Sequence, residues 1–214
     1  SLFSARDKFT VLVKSNILDI SKLITSNEVG MKKLIAGFCF ALMGFFGSVA
    51  QADTMAVSTK AVWQEVQSQP ESLLFIDVRD PVEIMFIGFT DAVDANIPFR
   101  LADRTQWSEK KRIFKMKPNK AFIEQVEAAL VAKGLDRNAR IITMCRSGSA
   151  RGKPSAVFLR EHGFANAFYV EHGFQGDKAK SGEKKGMRVV NGWQNDGLPW
   201  SPKANGAKIY RVDR

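Results

Sequence analysis

Cysteine is scarce in this chain: only Cys39 and Cys145 occur among 214 residues. Histidine is as rare, and neither His162 nor His172 has the spacing of a metal ligand, so no metal and no other cofactor is expected. Long apolar runs are missing as well. The most hydrophobic segment, Leu34 to Val49, is interrupted by Gly37, Gly44 and Gly47 and falls short of the roughly 20 residues that cross a bilayer. Nor is there any aromatic-basic repeat. The 32 Lys and Arg, set against 22 Asp and Glu for a net charge of +10, are scattered. Nucleic acid is therefore not expected as a partner, and small anions are favoured.

What the chain does have begins with "MKKLIAGFCFALMGFFGSVAQAD", in which two lysines follow Met31, an apolar run comes next, and Ala50-Gln51-Ala52 closes it. That order reads as a secretory signal over 31–52, cleaved after Ala52. It implies an exported protein of the bacterial periplasm with no stable membrane anchor after cleavage. Bulky Phe38 ahead of Cys39 argues against lipid attachment there, so Cys39 reads as a small apolar residue of the leader. Residues 1–30 precede the signal and read as an upstream extension. The remainder, 53–214, holds 214 − 52 = 162 residues, the size of one ordinary domain. Cys145 is then the only thiol left, no intramolecular disulfide can form, and the thiol is either inert or reactive for a reason.

Periodicity places the elements. Val62, Trp63 and Val66 fall at helical spacing after a capping Ser58 or Thr59, and Pro70 ends the run. Ser72 to Val78 reads as a buried parallel strand followed by a turn at "RDPVE". From Ile84 to Pro118 the pattern predicts loops and one short helix. Asn119 is placed to cap a helix with Phe122, Val126, Ala129 and Leu130 on one face, stopped at Gly134. "ARIITM" reads as a second buried strand ending at Met144, residues 152–163 as a helix, and Ala165 to Val170 as a third strand. Strands alternating with helices predict an α/β sheet, mainly parallel, with helices on both faces. Ligands of such sheets sit at the carboxyl ends of the strands, where Cys145 falls. The glycine- and lysine-rich stretch from Gly176 to Val189 reads as an exposed loop, and the two tryptophans of "NGWQNDGLPWSP" as packing back on the domain. Glu-His-Gly-Phe occurs at 161–164 and again at 171–174, once after a helix and once after a strand, so it reads as coincidence.

The segment "CRSGSAR", 145–151, thus lies between a strand and a helix. Amides at a helix start lack partners, and the helix dipole adds roughly half a positive charge there. Ser147, Gly148, Ser149 and Ala150 are small enough to let the backbone curl around one centre, while Arg146 and Arg151 offer charge and forked hydrogen bonds to an oxyanion. A cysteine at the edge of that anion cradle would have its thiolate stabilised and would act as a nucleophile.

"CRSGSAR", with "FIDVRDPVE" upstream and "GW...GLPW" near the end, resembles the rhodanese family of sulfurtransferases over roughly Val57 to Trp200. The resemblance implies a five-stranded, mainly parallel sheet with helices on both faces. It also implies that Cys145 takes sulfane sulfur from a small anion such as thiosulfate and passes it, as a persulfide, to a small-thiol or protein acceptor. Asp77 and Arg79 match the family's strand-end pair, whose implied role is structural. Two positions depart from the family's pattern: Gly-Phe-Thr at 88–90 stands where Gly-His-Ile is usual, and five residues rather than four separate Cys145 from Arg151. Five is the spacing of cell-division-cycle phosphatases and arsenate reductases, which keeps those activities open. Those phosphatases place a carboxylate in the loop, and residues 145–151 contain none. A module that holds a sulfur or oxyanion species without turnover is the third reading.

Overall fold

The computed structural model describes residues 55–213. The leader at 31–52, the extension at 1–30 and Cys39 lie outside the described residues. Within the unit Asp53–Arg214 the chain runs β1 (Ala56–Val57), α1 (Thr59–Ser68), a 3-10 turn (Pro70–Ser72), β2 (Leu73–Asp77) and α2 (Pro81–Ile87). It continues through β3 (Ala95–Asn96), β4 (Arg100–Ser108), β5 (Ile113–Pro118), α3 (Phe122–Ala132), β6 (Arg140–Met144), α4 (Gly152–Glu161) and β7 (Ala167–Val170). Five strands form one sheet in the order β1-β7-β6-β2-β3, and every pairing in it is parallel.

The two central strands show why the sheet needs helices on both sides. Leu74, Ile76 and Ile141 face one cluster with Phe122, Val126 and Leu130 of α3 and Ala156 and Leu159 of α4. Their neighbours in the sequence, Leu73, Phe75, Ile142 and Met144, face the other, with Val62 of α1, Ile84 of α2 and Trp193. Successive strand residues point to opposite faces, so a strand apolar at every position must be covered twice. The edge strands β1 and β3 are two residues each, which limits pairing with another chain.

Helix starts follow from side-chain caps. The Ser58 hydroxyl accepts from the Ala61 amide at 3.2 Å, as its position in the sequence predicts. The expected turn at "RDPVE" is instead the start of α2: Asp80 caps it by accepting from the Val82 amide at 2.8 Å, and Pro81 occupies the first turn. Asn119 does not cap α3 directly. Its side chain accepts from the Ala121 amide at 3.2 Å and donates to the Pro98 carbonyl and to Gln125, while Ala121 is the residue flanking the helix.

The stretch from 84 to 118, expected to be loops and one short helix, holds the end of α2, the short strand β3 and an antiparallel hairpin of β4 and β5, with an irregularity between Asp103 and Trp107. The hairpin forms a separate two-stranded sheet, and Trp107 stacks edge-on against Phe114 across it. Of the two tail tryptophans, Trp193 is completely buried against Phe75 and Trp63, whereas Trp200 stays partly exposed. Among the described residues no helix is long and apolar enough to cross a membrane.

Trp193→Ala is expected to cost about 4 kcal/mol of unfolding free energy, since it empties a packed site. Trp107→Ala, half-exposed on the hairpin, should cost less than about 1 kcal/mol. Urea denaturation of both variants checks the contrast, and equal losses would contradict it.

Candidate active site

Asp77 ends β2 and Met144 ends β6 directly opposite it. In a parallel sheet all strands end on one edge, so the segments after β2, β3, β6 and β7 meet there. Cys145 is the first residue past β6 and is fully buried, clustered with the α3 and α4 side of the core. Its backbone carbonyl accepts from the Phe174 amide at 2.8 Å, and that of Arg146 accepts from Gln175 and Gly176 at 2.8 and 3.2 Å. The loop is therefore tied to the segment that follows β7.

Two glycines allow that closeness. Gly148 has φ +77, and a Cβ there would lie 1.8 Å from the Glu171 carbonyl oxygen; Gly173 has φ +61, and its Cβ would lie 2.2 Å from the Cys145 carbonyl oxygen. Both positions need a left-handed backbone and have no room for a side chain. Gly173 and Phe174 belong to the second Glu-His-Gly-Phe copy, so that copy is part of the site. The amides of Ser147, Gly148, Ala150 and Arg151 have no acceptor among the described residues, while Ser149 donates to the Ser147 carbonyl at 2.9 Å. Unpaired amides at the start of α4 are donors available to an anion.

The arginines divide into two kinds. Arg79 has no exposed surface and lies on the Asp77 carboxylate, its Nε 3.0 Å from both oxygens and its Nη2 2.5 Å from Oδ2. The same Nη2 donates to the Gly88 carbonyl at 3.0 Å, and Phe174 covers the guanidinium at 4.2 Å. Asp77 and Arg79 thus form a buried ion pair. Arg151, expected on an oxyanion, forks instead onto Glu83 of α2, with Nη2 2.9 Å from Oε1 and Nη1 on Oε2. The carboxylate that α2 presents to the loop takes both arms of that fork.

Arg146 is different. Its Nε donates to the Gln175 side chain at 2.8 Å, and no carboxylate pairs with it among the described residues. Burial and the charge of Arg188, together with Arg151 and Arg79, hold Arg146 below its ordinary value, with Glu83 alone acting the other way. Burial also works against charge on Arg151, but the Glu83 hydrogen bond and charge, with Cys145 and Asp77, outweigh it. Glu83 is raised by burial and lowered more strongly by Arg151, Arg79 and Arg146, so its carboxyl stays below the ordinary value.

Glu83, Gln175 and Arg188 join the site without having been legible in the sequence. Glu83 sits in the turn-like "RDPVE", Gln175 immediately precedes the glycine- and lysine-rich stretch read as an exposed loop, and Arg188 lies within it. His162 ends α4 and His172 lies in a turn. Two surface cavities lie apart from these residues: one of about 580 Å3 is bordered by Trp63, Thr90 and Trp200, another of about 670 Å3 by Asp80, Leu101, Phe114 and Tyr210. Among the described residues no group of His, Cys, Asp and Glu could hold a metal ion.

A family model described as Rhodanese-like domain matches residues 58–180. No curated protein matches the chain. Among solved structures, the crystal structure of Rv0390 from M. tuberculosis is similar at 23% identity and a TM-score of 0.49, the match covering 69% of this chain and 97% of that one. A rhodanese-related protein from Thermoplasma volcanium is similar at 19% identity and a TM-score of 0.39, covering 69% and 98% respectively.

Glu83→Gln is expected to remove about 2 kcal/mol of stability at neutral pH, because Arg151 keeps a charge that has lost its partner. The sign with pH follows from the lowered carboxyl. Its contribution is complete above 4.5, the ordinary value, and is lost as the pH falls through the lower folded one. Urea titrations of parent and variant should converge on acidification below 4.5; a gap constant across that range would show that the ion pair is not its source.

Proposed function

Because the chain belongs to the rhodanese-like domain family, its matched segment covering more than half of the 214 residues, we propose that it is a sulfurtransferase working through a persulfide on Cys145. The observation that carries the reading is the setting of that thiol: immediately after β6, under a loop whose amides at 147, 148, 150 and 151 are unpaired, beside an arginine with no carboxylate partner. Unpaired amides and an uncompensated guanidinium are the features of this setting that favour an anion beside the sulfur.

The Cys145 thiolate attacks the outer sulfur of thiosulfate. A new S–S bond forms at Cys145, the S–S bond of the donor breaks, and sulfite leaves with the electron pair. The persulfide anion then rests against the loop amides, as an oxyanion does in an acyl-transfer site. An acceptor thiolate or cyanide attacks the outer sulfur and restores the Cys145 thiolate. Arg146 holds the oxyanion end of the donor. Arg151 acts through position: forked on Glu83, it fixes the last residue of the loop against α2. Neither half-reaction needs a proton donor.

That last point separates the reading from the phosphatase and arsenate-reductase alternative suggested by the five-residue spacing. A leaving alkoxide needs a general acid. Glu83 is the carboxylate paired with the loop, and it is held ionised by Arg151. The geometry thus favours a leaving group that departs as a stable anion.

The proposal includes an exported protein of the bacterial periplasm, trimmed after Ala52, with a single domain over 53–214 whose core spans about 57–200. The order of Lys32, Lys33, the apolar run and Ala50-Gln51-Ala52 supports it.

The test is the intact mass of the reduced protein after thiosulfate treatment, beside Cys145→Ser and an assay of aryl phosphate hydrolysis. The expected result is a gain of one sulfur atom that needs Cys145, with no phosphate release. Phosphate release that needs Cys145, without sulfur gain, would overturn the proposal. A thiosulfate-binding protein that never gains sulfur would be the non-turnover module.

A further inference from the structure

Four arginines meet at the carboxyl edge of the sheet, and only two are neutralised. Arg79 lies on Asp77 and Arg151 on Glu83. Arg146 and Arg188 carry no carboxylate partner among the described residues. Their side chains are attached to adjacent residues, Gln175 and Gly176. Arg146 donates from Nε to the Gln175 side chain, and Nη1 of Arg188 donates to the Gly176 carbonyl. The amides of Gln175 and Gly176 in turn donate to the Arg146 carbonyl. Arg188 is thereby held next to the catalytic loop although 42 positions separate it from Arg146 (188 − 146 = 42).

The segment bearing them is built, not loose. Gln194 accepts from the Gln175 amide group at 3.3 Å, which leaves the Gln175 oxygen facing Arg146. Asn195 donates to the carbonyls of Gln175, Arg188 and Asn191 at 3.0, 3.3 and 2.9 Å. Gly176, with φ +72, has no room for a Cβ against Asn191. Within this frame the Nε of Arg188 is buried and lacks any hydrogen-bond partner. A buried charged donor left unpaired is costly unless a ligand completes it. The proximity of the two guanidiniums is felt electrostatically, since Arg188 is the largest charge acting against Arg146.

Resting on the sulfur-transfer reading, we propose that Arg188 and Arg146 together form a subsite for the second negative charge of a dianionic sulfur donor, and that Arg188 sets the preference for dianions over monoanions. Two uncompensated positive charges match thiosulfate, which carries two negative ones. They exceed the need of an organic thiosulfonate, which offers the same transferable sulfur with one negative charge. The glycine- and lysine-rich stretch from Gly176 to Val189 is therefore more than a solvated loop, because it delivers Arg188 to the donor.

The experiment measures calorimetric binding of thiosulfate and of methanethiosulfonate to Cys145→Ser, in which no sulfur can be transferred, with Arg188 intact or replaced by Gln or Lys. Arg188→Gln should weaken thiosulfate binding about 10- to 100-fold and methanethiosulfonate binding less than about 3-fold. Arg188→Lys should restore part of the thiosulfate affinity, since it keeps the charge without the fork. Equal weakening toward both anions in the Gln variant would assign Arg188 a purely structural role, and no weakening would remove it from the site; either overturns the proposal. Sulfur uptake by Cys145 in the parent chain is read separately. A chain that takes up no sulfur but discriminates the two anions through Arg188 would lose the sulfur-transfer reading and keep the subsite.

Discussion

A guanidinium with no exposed surface must find its partners within the protein, and Arg79 draws four parts of the chain together through its Nε, its Nη2, its face and its backbone, although Nη1 has no hydrogen-bond partner. The Asp77 carboxylate at the end of β2 takes its Nε and Nη2, the Gly88 carbonyl after α2 takes Nη2 again, and Phe174 after β7 covers its face. Its own carbonyl, with that of Asp77, accepts from the Asn96 side chain at the end of β3. The carboxyl edge of the sheet is thereby closed around a charge that cannot return to water without unpacking it. Burying such a pair is no bargain in stability against an apolar core. Its effect is positional: the segments that carry Cys145, Glu83 and Gln175 converge on a fixed point.

The second ion pair extends this arrangement into the loop. Glu83 fixes Arg151 and so the start of α4, while the backbone of Phe174 to Gly176 fixes Cys145 and Arg146. Donors placed before the substrate arrives need no rearrangement during reaction, which is what makes electrostatic stabilisation effective. The division of labour among the arginines follows the same logic. Arg79 and Arg151 are paired with carboxylates, and Arg146 and Arg188 have none among the described residues.

How much of this could be read in advance depended on range. β2 and β6 were legible because each is apolar at nearly every position, and α1 because Ser58 caps it and Val62, Trp63 and Val66 share a face. The setting of Cys145 was legible because its signal is local: strand, small residues, helix. The hairpin was not, since β4 and β5 are exposed on both faces and impose no alternation. α2 was missed as a helix although Asp80-Pro81 is a proper start, because Val82, Met85 and Phe86 point outward and only Ile84 is buried. Glu83 and Arg188 reach the loop from 68 and 42 positions away in sequence, measured from Arg151 (151 − 83 = 68) and Arg146 (188 − 146 = 42). Pairing over such distances leaves no periodic trace.

Cys145 has no exposed surface, and this governs how long the thiol survives as much as what can reach it. Oxidation of a thiolate to sulfenic and then to irreversible sulfinic acid follows how easily solvent-borne oxidants reach it. A thiol with no exposed surface, in a loop held close to its neighbours at Gly148 and Gly173, is shielded from oxidants in bulk solvent. The glycines that bring the backbone so close thus act as a guard against ageing of the thiol.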